Sequence, residues 1–433
     1  MVKLAPRFIV VVAAVVAFIY MWDTQMLAPV LPIYTKEIGA STFMVGVIMG
    51  VYSATNCIGN LVFGRMSDTM GRRLPLTIGF IGAAIFVFLY SWAAAPMNLL
   101  IVRLIHGFFA GALGPCTAAV ITDLAPPERR GAYMGIWTMA VALGVAVTSP
   151  LAGTLSTTYG YLSVWLAISI IYLIAPLLIW TLLPETHRKQ EIQFEAIANN
   201  AVAKPSVLSI LKRRNVVIAY YGIFSMYWLL GTAVVLFDLY LADLQVAGVI
   251  GVDPKMGFGI LMGVFGLASI LLNYLCGRLS DVVGRKTPLM VAFLMLTGAP
   301  LLISNPSVPM IVVAWVVLWA LATAAIWPSV LALLGDELAL HERGIGFGFF
   351  MFFLTLGTGV GMPVMGYVGE VMGLATGIKV AALFPAIAFF LSLAIRPRPG
   401  AEAKFGTKSK LCMIIVVIVL LVASYPLITF LQP

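Results

Sequence analysis

Long apolar runs, broken by short polar punctuation, set the pattern of this chain. A helix needs about 20 apolar residues to cross a hydrocarbon core of roughly 30 Å. Runs of that kind lie near 8–32, 43–63, 74–94, 98–120, 133–156, 161–183, 215–242, 257–276, 287–304, 309–334, 344–368, 374–395 and 411–431. They predict thirteen membrane-spanning helices. A membrane β-barrel would instead alternate apolar and polar positions. The first run is too long for a cleaved signal peptide and holds Asp23, Pro29 and Pro32.

The punctuation repeats. "GRMSDTMGRRLPL" at 64–76 returns as "GRLSDVVGRKTPL" at 277–289, an offset of 213 residues. The same offset carries Gly46 and Gly50 onto Gly259 and Gly263, Pro115 onto Pro328, Asp123 onto Asp336 and Arg130 onto Arg343. It also carries Gly135, Pro150, Gly153 and Gly160 onto Gly348, Pro363, Gly366 and Gly373. A register held across five spans predicts an all-α integral membrane protein of two six-helix bundles in the same orientation, a parallel internal repeat. The expected units are a bundle over 1–184, a cytoplasmic linker over 185–214, a second bundle over 215–395, and a basic loop with the thirteenth helix over 396–433. Part of the linker can be read as a surface helix or as a flexible connector.

Composition agrees. The 62% hydrophobic and 10% charged content and mean hydropathy of +1.05 exclude an ordinary soluble protein, which is roughly a quarter charged. The net charge of +9 raises nucleic acid as a partner, but its placement removes that reading. With a cytoplasmic N-terminus, only Lys36, Lys255 and Lys379 of the 26 Lys and Arg fall outside, and Arg103 lies within a span. That asymmetry is the positive-inside rule of a multi-pass plasma-membrane protein, and thirteen spans place the C-terminus outside. Cys57, Cys116, Cys276 and Cys412 show no metal-ligand spacing. No phosphate-cradling loop, metal cluster or nucleophile–base arrangement is written in the chain, so neither an enzyme nor a metal or cofactor is expected.

Gly64, Asp68, Gly71, Arg72 and Arg73, with their copies Gly277, Asp281, Gly284, Arg285 and Lys286, resemble the loops between helices 2 and 3 and helices 8 and 9 of the major facilitator superfamily. Thr69 and Val282 stand where a basic residue is frequent. "WDTQMLAPVLP" at 22–32 and "RLIHGFFAGALGP" at 103–115 resemble the helix 1 and helix 4 motifs of its drug:proton antiporters, with His106 where a Gln is usual. "DLAPPERRG" at 123–131 resembles the helix 4–5 loop. In helix 5, "GVAVTSPLAGT" at 144–154 departs from the antiporter motif at Ser149 and Thr154. The resemblance covers 1–395 and implies a transporter working by alternating access. In it Asp68, Arg72, Asp123, Arg130, Asp281, Arg285, Asp336 and Arg343 would belong to gating loops. The plainer reading is that the arginines only set topology.

A repeat supplies its own control, because a charge present in only one copy needs a reason beyond the scaffold. Asp23, Arg103 and His106 align with Leu236, Val316 and Trp319. At about 1.5 Å per residue, Asp23 and Arg103 reach a similar depth, and charges at such depth are paired or lie on a polar pathway. The expectation is that Asp23 carries protons with Arg103 as its partner, while His106 reads as a relay, as a hydrogen-bond partner of substrate or as a satisfied core histidine. A static ion pair is the alternative. Asp238, Trp137, Trp228 and Trp319 are candidate cavity residues. The expected function is proton-coupled transport of a small organic molecule by a monomer in the bilayer, leaning to efflux. Sugar or organic-acid symport and passive facilitation remain open.

Overall fold

A computed structural model describes residues 6–126, 129–186, 207–246, 251–302, 309–339 and 342–396. The described residues form helices without a strand. We label the long helical stretches α1 (Phe8–Glu37), α2 (Thr42–Met70), α3 (Arg73–Trp92), α4 (Pro96–Leu124), α5 (Arg130–Tyr159), α6 (Tyr161–Leu182) and α7 (Arg214–Gln245). They continue with α8 (Pro254–Val283), α9 (Lys286–Leu301), α10 (Pro309–Glu337), α11 (Arg343–Met372) and α12 (Leu374–Leu393). Ten are long and apolar enough to cross a membrane, and α8 and α9 contribute the shorter apolar stretches Pro254–Ile270 and Lys286–Leu301. A short helix, Val207–Leu211, precedes α7. The expected thirteenth span and most of the linker lie outside the described residues.

The repeated glycines have local causes. Gly71 and Gly284 end α2 and α8 at φ of 92° and 85°, and Gly160 and Gly373 divide α5 from α6 and α11 from α12 at 79° and 86°. Those angles suit glycine because it has no Cβ to clash. The arginine-rich loops after Gly71 and Gly284 mark what we call the basic end; the opposite is the far end.

The first helix is broken where its prolines require it. Pro29 cannot donate to the carbonyl of Gln25, and that carbonyl accepts from Ser149 Oγ at 3.1 Å. One turn earlier the Tyr172 hydroxyl enters the ladder: it accepts from Asp23 N at 3.2 Å and donates to Tyr20 O at 2.9 Å. A side chain inserted this way bends a helix, and here it fixes the turn that carries Asp23.

The two copies meet through α2 with α11 and α5 with α8, and the contacts are themselves repeated. A Cβ built on Gly46 would lie 2.3 Å from Met362 O, and one on Gly259 2.5 Å from Ser149 O. Gly50 faces Pro363 Cδ at 2.8 Å and Gly263 faces Pro150 Cγ at 2.5 Å; Gly366 meets Thr42 O and Gly153 meets Lys255 O, at 2.8 and 2.6 Å. Each pair maps onto the other at the 213 offset, so backbone packs on backbone about a local two-fold axis.

Five turns away, about 27 Å along the same faces, stand Gly64, Gly135, Gly277 and Gly348. A Cβ on Gly64, Gly135 or Gly348 would meet nothing within 4 Å, and one on Gly277 would meet only Pro328 of its own half, at 3.7 Å. These faces are sealed at the far end and open at the basic end.

Candidate functional site

Asp23, Tyr52, Tyr90, Arg103 and His106 form one buried cluster beneath the far-end seal. Asp23 is 1%, Arg103 3% and His106 0% exposed. The expected contact of Asp23 with Arg103 is replaced by a contact with His106, whose Nε2 lies 2.9 Å from Asp23 Oδ2, off the line of a straight hydrogen bond. Thr24 Oγ1 donates to Asp23 Oδ1 at 2.6 Å, and Tyr52 Oη donates to Oδ2 at 3.1 Å. Arg103 stands one step back: its guanidinium carbon lies 4.1 Å from the centre of the Tyr52 ring, and Nη1 donates to Tyr90 Oη at 3.1 Å.

These contacts join into a directed chain. Tyr90 Oη lies 2.7 Å from His106 Nδ1. Since Oη already accepts from Arg103, it donates to Nδ1, which leaves the proton of a neutral imidazole on Nε2, facing Asp23. Arg103 thus acts on Asp23 through Tyr90, His106 and Tyr52. The spacing from 103 to 106 puts both side chains on one face of α4. The sequence alone does not tell which reaches the carboxylate.

The second copy shows what the scaffold needs without this chemistry. Asp23, Thr24, Tyr52, Arg103 and His106 correspond to Leu236, Phe237, Phe265, Val316 and Trp319. The Tyr52–His106 ring pair, 5.3 Å between centres, becomes Phe265–Trp319 at 5.0 Å, with Phe237 against Trp315 at 4.1 Å. Packing is kept and polarity is lost. Tyr52 and Thr24 were missed in the sequence, although their alignment with Phe265 and Phe237 would have singled out the hydroxyls by the same one-copy test. Tyr90 and Tyr172 align with Ile303 and Pro385, so the same test would have raised their hydroxyls as well.

Above the cluster, Tyr90 packs edge-on to Trp165 at 5.5 Å, and Trp165 stacks with Tyr161 at 6.3 Å. Tyr161 Oη donates to Glu37 Oε1 at 2.6 Å and accepts from Lys255 Nζ at 3.5 Å, reaching the other half. Glu370 of α11 closes the rim by accepting from Phe43 N of α2 at 2.7 Å.

The gating residues stay within their own halves. Arg72 binds Asp68 at 2.6 Å and Asp123 at 2.9 Å, and also donates to Ser67 Oγ. Burial works against its charge, but the bonds to Asp123 and Asp68 outweigh this and raise its pKa above the ordinary arginine value. Glu185 accepts from the backbone of Arg72 and Arg73, and Arg73 reaches Leu183 O. In the second copy Arg285 binds Asp336 at 3.3 Å and Ser280 Oγ at 3.2 Å, while Lys286 Nζ donates to Leu393 O. The side chains of Arg130, Asp281 and Arg343 lie outside the described residues.

The candidate cavity residues each have contacts of their own. Trp137 donates to Thr117 Oγ1 at 3.3 Å, Trp228 stacks on Phe384 at 3.9 Å, and Trp319 packs in the second copy's aromatic cluster. Asp238 is fully buried, with neither carboxylate oxygen hydrogen-bonded. Among the described residues no group of His, Cys, Asp and Glu has a metal-binding arrangement.

The family model for the Major Facilitator Superfamily matches residues 13–254 and 245–432. The chain belongs to this superfamily. It is 24% identical over 406 residues to a hexuronate transporter of Bacillus subtilis, covering 90% of this chain and 94% of that one. It is also 24% identical over 351 residues to the multi-drug resistance efflux pump PmrA of Streptococcus pneumoniae, covering 79% and 84%. Among solved structures, a bacterial homologue of the human lysosomal transporter Spinster, inward-facing and unoccupied, superposes with a TM-score of 0.75 at 15% identity, over 91% of this chain and 98% of that one. The chain is therefore a multi-pass membrane transporter of small molecules.

Proposed function

We propose that this transporter is proton-coupled, carries a small organic molecule by alternating access, and works in the direction of efflux. The observation that carries proton coupling is the one-copy cluster. Asp23 is ionised while His106 faces it and Tyr52 and Thr24 donate to it. Arg103 holds the far side of the chain through Tyr90. Movement of α1 against α4 removes those donors, and a carboxylate left buried without them takes up a proton.

The sealed far end and parted basic end support alternating access. With the basic end in the cytoplasm, as the charge asymmetry implies, this is the inward-open state. The gating bonds Arg72–Asp123 and Arg285–Asp336 then hold each cytoplasmic loop to its own bundle while the bundles are apart. The direction rests on the likeness of the 22–32 and 103–115 stretches to antiporter motifs and on the efflux relative. The hexuronate-transporter relative supports a second reading, symport of an acidic sugar.

The test is purified protein in liposomes under pH gradients of either sign, with ethidium and labelled glucuronate as probes. Ethidium extrusion driven by the gradient supports the first reading, and glucuronate accumulation supports the second. Equal fluxes with and without a gradient would refute proton coupling.

A further inference from the structure

Asp238 lies in the first helix of the second half, where neither the superfamily likeness nor the Asp23 cluster gives it a task. It aligns with Gln25 at the 213 offset, two residues along from the position of Asp23. It is 0% exposed, and both of its oxygens lack a hydrogen-bond partner. Directly before it the helix widens into a π-helical segment, Ala233–Phe237, a local change of helix form common where a side chain has a task.

Charge around it is arranged against an anion. At the far end, the charged groups on elements packed against this turn are Asp253 and Lys255 of α8, Lys36 and Glu37 of α1, Glu370 of α11 and Lys379 of α12, with Asp243 on its own helix; α2 also packs here and carries its charges, Arg65 and Asp68, toward the basic end. Asp253 repels an anion. Lys255 is already engaged, with Nζ 3.9 Å from Asp253 Oδ2 and 4.8 Å from the centre of the Tyr161 ring. An ionised carboxylate buried without a partner is far more costly than a neutral carboxyl group left without a hydrogen bond. The pocket therefore suits the neutral acid.

A contact between the two halves lies on the same helix that packs against this turn: Lys255 of α8 meets Tyr161 of α6, α8 packs on the helix that carries Asp238, and α8 packs on α5 by the glycine contacts described above. We propose that Asp238 is a proton-switched gate carboxylate, neutral while the far end is sealed, which gives its proton to the far side when α8 parts from α5 and α6 and takes one back from that side before resealing, so that no proton crosses on it. Parting breaks the Tyr161–Lys255 contact, frees the Lys255 ammonium and admits water. The proton leaves to that water, and the carboxylate left behind gains Lys255 as its counter-ion. This deepens the proton-coupled reading and rests on its alternating access, but it does not need Asp23 to titrate.

Two measurements on the full-length protein test it. Dicyclohexylcarbodiimide reacts with neutral carboxyl groups in apolar surroundings. Peptide mapping of the treated protein should find at least about tenfold more adduct on Asp238 than on Asp23, the ratio of neutral forms that one pH unit produces, and the Asp238 adduct should fall at alkaline pH. Label on Asp23 with none on Asp238 would overturn the proposal.

The second measurement reads the far-end distance by electron–electron double resonance between spin labels at Tyr159→Cys and Met372→Cys, exposed positions on the two halves, with the native cysteines replaced by Ser. The parent distance should lengthen as pH rises. Asp238→Asn should stay short at every pH, and Asp238→Glu should restore the response. Asp23→Asn should keep the response while losing gradient-driven flux, which separates this proposal from the role of Asp23. A pH response in Asp238→Asn equal to that of the parent would sink it.

Discussion

The far-end seal gives a direct way to move the balance between access states. Replacing Gly46 by Ala adds a single Cβ, which would sit 2.3 Å from Met362 O and 3.0 Å from the Pro363 Cα. Ordinary contact begins near 3.4 Å, so α2 and α11 must separate by about 1 Å, against backbone that has no flexible end to yield. Overpacking of this kind costs about 1–3 kcal/mol, and the cost falls only on the state with the far end sealed. The equilibrium should therefore shift by roughly 5- to 150-fold toward opening there. Gly259→Ala, the repeat partner, should act in the same direction by a similar amount. Gly64→Ala is the internal control: its Cβ meets nothing in this state, but it stands on the face that closes when the basic end seals, so it should shift the balance the other way or leave it unchanged. The labels at 159 and 372 read the far-end distance directly. Equal distance distributions for Gly46→Ala and its parent, or a shift of the same sign for Gly64→Ala, would refute the reasoning.

Other outcomes follow from the cluster and its rim. Asp23→Asn should abolish flux driven by a pH gradient while retaining exchange of substrate down its own gradient, checked in liposomes. Tyr90→Phe removes the link between Arg103 and His106; losing a hydrogen bond to a charged group costs about 1.5–3 kcal/mol, and gradient-driven flux should fall by roughly ten- to hundredfold with the protein still folded by thermal melting. Arg72→Ala should lower the melting temperature, because it removes the bonds to Asp123 at 2.9 Å and Asp68 at 2.6 Å. Glu370→Ala removes the acceptor for Phe43 N and should lengthen the far-end distance, with a cost to the sealed state of about 1 kcal/mol.

Much of this was legible in the chain because membranes make charge and glycine conspicuous. Asp23, Arg103 and His106 stand out in apolar runs, and the 213 offset marks them as belonging to one copy. The same offset predicts the Gly46 and Gly259 faces, although only the structure shows that each packs on the other half's Met362 and Ser149. What escaped was carried by uncharged groups. Tyr172 enters the α1 ladder from 149 residues away, and no local pattern encodes such a contact. The partner of Asp23 escaped for a related reason: Arg103 and His106 share a face, and the choice between them depends on Tyr52 and Tyr90, contributed by α2 and α3. The rings read as cavity candidates carry no mark that separates the two readings: Trp228 and Trp319 pack against other rings, and an indole suits a core or a cavity wall alike.

The glycine seal bears on the speed of transport as well as its balance. Interfaces built from long side chains must freeze rotamers each time they form, at up to about 2 kcal/mol for each such chain. At Gly46, Gly50, Gly259 and Gly263 there are no rotamers to freeze. These faces can close with little loss of side-chain entropy, and that cost is confined to the rim, where Glu370 and Lys255 must be ordered across the halves.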